Sequence, residues 1–167
     1  MTMKKRAIFL DRDGTINVDA EYLSDIKNFY WLPDAIEAIR YINEHGALAI
    51  VITNQSGVAR GFFAETTVLK IHEFMQEELH RYGAHIDGFY FCPHHPEATV
   101  AQYRQDCECR KPKPGLILQA AKDHDIDLAH SMMIGDKERD VECGRRAGTL
   151  GVRYVGGSLL SEVKKFV

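Results

Sequence analysis

The sequence predicts an α/β fold: a three-layer, doubly wound parallel sheet between two layers of helices. Three observations predict it. Short apolar runs alternate with amphipathic segments of helical period along nearly the whole chain. Most of those runs are continuously apolar, as in parallel strands covered on both faces. The residues directly after them are charged or hydroxylated, which suits the crevice at the carboxyl ends of strands where open sheets bind ligands.

Each element has its own signal. Ala7-Ile8-Phe9-Leu10 is the first run and stops at Asp11. Pro33 can occupy the first turn of a helix, after which Ala35, Ala38, Ile39 and Ile42 recur at helical spacing and Gly46 supplies a stop. Leu48 to Ile52 is the second run. Val68, Ile71, Met75, Leu79 and Tyr82 then form an apolar stripe, read as a core-packing face that Gly83 ends. Phe89-Tyr90-Phe91 and Met132-Met133-Ile134 read as the third and fourth strands, and Gly151 to Val155 as a weaker fifth near an edge. Helices are expected from Pro114 to about His124 and from Lys137 to just before Gly148, with a short terminal one over 161–166.

At 167 residues, 45% hydrophobic and 27% charged, the chain is expected to form one domain over 1–167 with a full core. The net charge of −3 offers no bulk attraction to nucleic acid or to an anionic membrane. Lys4-Lys5-Arg6 precedes only four apolar residues, short of the ~7–15 of a signal-peptide core, and no stretch approaches a membrane span. A cytoplasmic monomer without nucleic-acid or membrane partners is therefore expected. In that compartment the four cysteines read as thiols or metal ligands.

The chemistry concentrates after the strands. In Asp11-Arg12-Asp13-Gly14-Thr15, residues two apart in an extended chain face one side, so both carboxylates can share one small volume. They repel each other unless a cation intervenes, and Mg²⁺ is the natural one. One carboxylate can then attack phosphorus while the other moves protons. Thr53-Asn54-Gln55-Ser56-Gly57 offers a hydroxyl and successive amides to phosphate oxygens. In Arg110-Lys111-Pro112-Lys113-Pro114, Lys111 or Lys113 can neutralise a transferring phosphoryl group and Arg110 can fork onto phosphate. Asp136 is expected beside Asp11 to complete the Mg²⁺ site, with Lys137 near the substrate. Asp140 reads as a structural hydrogen-bonding group or a second ligand. Cys92, His94, Cys107 and Cys109 form two ligand pairs that can close a four-coordinate, structural Zn²⁺ and staple the loop delivering Arg110 and Lys111. His95 is an alternative ligand, and Cys143 reads as a buried small hydrophobe.

These four strand-end segments, in this order, resemble the motifs of the haloacid-dehalogenase (HAD) superfamily of aspartate-nucleophile phosphatases. The resemblance covers nearly the whole chain. It implies a HAD-like Rossmannoid core with Asp11 as nucleophile and Asp13 as acid and base, while Thr53 and Lys111 stabilise the phosphoryl oxygens. The family pattern places its lysine directly before Pro, which favours Lys111. Asp11, Asp136 and the Asp13 backbone carbonyl would hold Mg²⁺. The spacing leaves no room for a separate cap domain, so loops should roof the site. The pairing of the first motif with Cys-Pro-His and Cys-Glu-Cys-Arg-Lys-Pro resembles the histidinol-phosphatase branch. The segment Thr53 to Gly61 resembles the heptose bisphosphatases within it, which act on a sugar phosphate for bacterial surface glycans. Asn54, Gln55, Ser56, Arg60, Arg110 and Lys137 are then the candidate substrate contacts, and residues 17–22 border the sugar. Histidinol phosphate is the alternative substrate, and an inactive phosphate- or metal-binding scaffold the non-enzymatic alternative.

Overall fold

The computed structural model describes residues 3–167. Its centre is β1 (Ala7–Leu10), whose four side chains are all fully buried. β2 (Leu48–Asn54) pairs with it on one side and β4 (Met132–Gly135) on the other. β3 (Gly88–Cys92) extends the sheet beyond β2, and β5 (Leu150–Arg153) beyond β4. The order is β3-β2-β1-β4-β5 and every pair is parallel. The chain therefore winds outward through β2 and β3, then crosses back over β1 to β4. That reversal opens a crevice at the carboxyl ends of β1 and β4.

Alternation along the strands separates two cores. Ile8, Leu10, Ala49, Val51, Met132 and Ile134 face α1 (Ala35–Glu44), α2 (Glu65–Arg81) and α5 (Leu159–Lys164). Ala7, Phe9, Ile50, Ile52 and Met133 face α3 (Gly115–His124) and α4 (Glu138–Ala147). This is the expected three-layer arrangement. Among the described residues, no helix is long and apolar enough to cross a membrane.

The differences from expectation are local. Phe89, Tyr90 and Phe91 lie on an edge strand and are half-buried, because among the described residues no strand pairs beyond β3. Tyr82 leaves the stripe of α2: it sits just past the helix end and is exposed, its carbonyl accepting from Arg40 Nη1 at 3.0 Å. Pro33 stands just outside α1, in the turn before it. The terminal helix starts at Leu159 because Ser158 caps it, its Oγ accepting from the Ser161 amide at 3.0 Å. Asp34 ties that start to α1, accepting from the Leu160 amide at 3.2 Å and from Ser158 Oγ at 2.5 Å.

Gly144 lets α4 lie close against the sheet. A Cβ there would stand 2.6 Å from Met133 Cβ and 2.8 Å from Thr149 Oγ1. Gly→Ala in a helix normally stabilises. Here Gly144→Ala should instead destabilise by about 1–3 kcal/mol, read from the urea unfolding midpoint; an unchanged or raised midpoint would refute the close packing.

Candidate active site

The floor of the site is a buried charge cluster. Asp11 leaves β1 with only 7% of its surface exposed. Lys111 Nζ donates to Asp11 Oδ1 at 2.7 Å and to the Ile52 carbonyl at 2.9 Å. It also stands 2.7 Å from Asp140 Oδ1. That contact is an ion pair by distance, with an angle too poor for a hydrogen bond, so this buried oxygen keeps no hydrogen-bond donor among the described residues. Lys111 was expected on the phosphoryl oxygens. Instead its ammonium donates to Asp11 and Ile52 and pairs by charge with Asp140, all from beneath Asp11 and outside the lining of the cleft above. Asn54, expected at the substrate, binds the Lys111 backbone on both sides: its Oδ1 accepts from Lys111 N at 2.9 Å and its Nδ2 donates to Lys111 O at 3.3 Å. Asn54 also lines the cleft.

Asp136 and Asp140 join Asp11 in a group whose carboxylate oxygens lie within 4.8 Å of one another. Burial pushes the Asp11 carboxyl upward; Lys111 opposes this, and Asp140 and Asp136 reinforce it. For Lys111, burial acts downward but Asp11 and Asp140 outweigh it and hold the ammonium charged. The two influences conflict, and the short Lys111–Asp11 contact decides for an ion pair. Three carboxylates against one ammonium still carry a net −2, the balance that a divalent cation with oxygen ligands restores. Gly14 passes so close to Asp136 that a Cβ would strike its carboxylate. Asp140 also starts α4, its Oδ2 accepting from Lys137 N at 2.9 Å.

Asp13 faces the same cleft with a separate set of partners. Arg12 Nε and Nη2 donate to its two oxygens at 3.1 and 3.0 Å, Asn17 Nδ2 to Oδ1 at 2.9 Å, and Gln55 Nε2 to Oδ2 at 3.1 Å. Burial raises its proton affinity, but Arg12 above all, with Asn17 and Gln55, holds the carboxyl below the usual range. Its carboxylate is therefore not in the Asp11–Asp136–Asp140 group, and any contribution to an ion would come from its backbone carbonyl. Gln55 also donates to Thr53 Oγ1 at 3.0 Å, linking the second motif to the first.

Above this floor is an open cleft of about 420 Å³. Thr53, Gln55, Ser56 and Gly57 line one wall, and Asp19, Glu21 and Tyr22 form part of the rim. Arg60, Arg110, Lys137 and Arg139 supply the positive charge. Arg60 lies over the Tyr22 ring, 5.6 Å from its centroid. Arg110 Nη1 is buried without a hydrogen-bond partner among the described residues. Burial, then the nearby Arg139 and Arg60, lowers its proton affinity, which an anion would reverse. Arg139 was not anticipated, although the first turn of the helix after Asp136 is a place from which side chains can reach the cleft.

A second polar cluster sits just before Arg110. Cys92, His94, Cys107 and Cys109 bring one ligand atom each together within 4.8 Å, and no disulfide joins them. The sulfurs are 2.8–3.4 Å apart. His94 Nδ1 lies 3.4 Å from Cys109 Sγ and 3.7 Å from Cys92 Sγ. Such spacing is too long for an S–S bond and suits ligands around one soft cation. His95, the alternative ligand, turns away, its Nδ1 accepting from the Glu97 amide at 3.0 Å. Cys143 is buried and donates to the Lys113 carbonyl at 3.4 Å, which ties α4 to the loop before α3.

Comparison with known proteins agrees with this arrangement. A family model described as HAD-hydrolase-like matches residues 108–162, the stretch that carries Lys111, Asp136 and Asp140. Over 147 residues the chain is 48% identical to the D-glycero-beta-D-manno-heptose-1,7-bisphosphate 7-phosphatase of Yersinia pestis, covering 88% of this chain and 78% of that protein. The enzyme of the same name from Rhodopseudomonas palustris is 45% identical over 162 residues, covering 97% and 90%. Among solved structures, a HAD-like phosphatase from Mesorhizobium loti is 38% identical, with 89% and 71% covered and a TM-score of 0.84. The D,D-heptose 1,7-bisphosphate phosphatase of B. bronchiseptica, complexed with magnesium and phosphate, is 34% identical, with 87% and 78% covered and a TM-score of 0.79. Fold and sequence thus agree along most of the chain, which belongs to the HAD-like hydrolases, in the family of the D-glycero-beta-D-manno-heptose-1,7-bisphosphate 7-phosphatases.

Proposed function

We propose that this protein removes the 7-phosphate of D-glycero-D-manno-heptose 1,7-bisphosphate through an aspartyl-phosphate at Asp11. The observation that carries this reading is the pairing of Asp11 with Lys111 at 2.7 Å beneath a cleft that Arg110, with one buried nitrogen unpartnered among the described residues, also lines. The substrate is taken from the named relatives.

In the first step an Asp11 carboxylate oxygen bonds to phosphorus while the bond from phosphorus to the sugar oxygen breaks. Asp13 gives its proton to the departing alkoxide. Its four donors favour the ionised form in the free site, and the arriving phosphate charge opposes them and raises its proton affinity. In the second step water passes a proton to Asp13 and attacks phosphorus. The aspartyl bond to phosphorus breaks, releasing phosphate and restoring both carboxyl groups. Lys111 neutralises Asp11 from beneath, so an anionic nucleophile can meet an anionic phosphoryl group. Thr53 and the backbone after it face the phosphoryl oxygens, with Asn54 and Gln55 holding that wall in place. Arg110, Arg60, Lys137 and Arg139 receive the second phosphate, and Ser56, Asp19 and Glu21 face the sugar hydroxyls.

Asp11 and Asp136, with the Asp13 carbonyl, would hold Mg²⁺, which supplies charge neutralisation at the transferring group. Cys92, His94, Cys107 and Cys109 would hold Zn²⁺ as a closed, structural site, fixing the loop that presents Arg110 and Lys111. The protein is placed in the cytoplasm, where reducing conditions would keep Cys92, Cys107 and Cys109 available to the metal.

Phosphate release should be measured with Mg²⁺ on both anomers of the heptose bisphosphate, beside histidinol phosphate and fructose 1,6-bisphosphate. One heptose anomer should be preferred by at least about tenfold in kcat/KM; a preference for histidinol phosphate would overturn the substrate assignment. Asp11→Asn should fold normally and lose at least about 10³-fold in kcat, whereas retained turnover would rule out Asp11 as nucleophile. Purified protein should contain about one zinc per chain, and Cys109→Ser should lower both zinc content and thermal midpoint. Metal-free protein of unchanged midpoint would remove zinc from the account.

A further inference from the structure

A buried polar assembly stands behind Asp13. The Arg12 side chain is fully buried. A guanidinium keeps its charge and has only donors, so burial demands acceptors on every side. Two of its nitrogens grip the two Asp13 oxygens in a fork. The third, Nη1, lies 3.2 Å from Nε2 of His72, sixty residues away on α2. The fork between consecutive residues exists because the chain turns tightly there: the amides of Thr15, Ile16 and Asn17 all donate to the Arg12 carbonyl.

His72 occupies a core position of the α2 stripe and is itself buried. Its ring stacks on Phe89, centroids 4.5 Å apart and planes at 16°, with Phe91 edge-on at 6.1 Å. Since Arg12 can only donate, Nε2 must accept, and the ring proton must sit on Nδ1. Nδ1 has no partner among the described residues. Burial, then Arg12, pushes the ring's pKa down to about 3, which keeps the accepting lone pair at neutral pH.

We propose that Arg12, held in turn by His72, is a positioning residue that fixes the plane of the Asp13 carboxylate for proton transfer. The inference rests on the reading of Asp13 as the proton-transfer group. Asn17 and Gln55 hold one oxygen each, through two separate side-chain amides that can shift independently. Only Arg12 holds both oxygens at once. Proton transfer to a leaving oxygen is sensitive to such placement, because a small displacement breaks the line between donor and acceptor.

The test compares two leaving groups in single turnovers. An alkoxide leaving from the sugar bisphosphate needs a proton; 4-nitrophenolate leaving from 4-nitrophenyl phosphate does not. Arg12→Lys keeps the charge and loses the fork. His72→Phe keeps the ring's bulk and stacking but loses the acceptor, and His72→Gln restores one. Arg12→Lys and His72→Phe should slow alcohol release about 10- to 100-fold with KM within about twofold and nitrophenolate release within about threefold. His72→Gln should recover most of the loss. Equal slowing on both substrates, or slowing on neither, overturns the proposal. Asp13→Asn is the control: if it lacks the split, the reading of Asp13 fails. If it has the split and both other variants lack it, the positioning role alone fails. Nitrogen-15 spectra of the unmodified protein add a result independent of variant folding. A neutral His72 ring with its proton on Nδ1 is expected; a proton on Nε2, or a cationic ring, overturns the proposal.

Discussion

The site depends on where one buried ammonium finds its acceptors. Lys111 is 2% exposed, and in that environment a lone amine would shed its proton. It stays charged because Asp11, Asp140 and the Ile52 carbonyl surround it. Those partners come from three elements: the end of β1, the strand β2 at Ile52 and the start of α4. The ammonium therefore registers the carboxyl ends of the central strands as well as neutralising the nucleophile. Removing its side chain would leave two buried carboxylates facing each other, a more costly error than the loss of one surface ion pair.

The chain delivers Lys111 to that spot from a loop, so the loop itself must be fixed. Asn54 holds the Lys111 backbone through both its amide and its carbonyl. The Cys92–His94–Cys107–Cys109 cluster ends two residues before Lys111, directly ahead of Arg110. Gly115 N donates to the Glu108 carbonyl at 2.9 Å and links the same loop to α3. One short segment thus places a cation under the nucleophile and a second, Arg110, in the cleft above it. Asp13 is served by an independent assembly of Arg12, Asn17, Gln55 and His72. Two carboxylates two residues apart thereby coexist without sharing a partner.

The strands and the four motif segments were legible because each signal is local. A continuous apolar run that stops at Asp11, Thr53 or Gly135 needs no knowledge of its neighbours. The placement of β3 at an edge was not legible, since Phe89-Tyr90-Phe91 is as apolar as an interior strand and only the sheet order exposes it. The direction of Lys111 was equally hidden, because its two hydrogen-bond acceptors lie 59 and 100 residues away. Arg12 reads as a charged turn residue until its partner is known. The one available signal was His72 itself, a titratable ring on the face of α2 that Val68, Ile71, Met75 and Leu79 make apolar. The Ser158 cap and its tie to Asp34 were missed because the weak apolar spacing after residue 158 hid the start of the helix.

The most direct test of the account is to catch the phosphoryl group on the protein. Enzyme quenched in acid during turnover, then reduced with borohydride, should carry homoserine in place of aspartate at position 11, found by peptide mass spectrometry. Conversion at position 11 alone is the result expected from a nucleophile held over Lys111. Conversion at position 136 or 140, or rapid turnover with no converted aspartate at all, would contradict it.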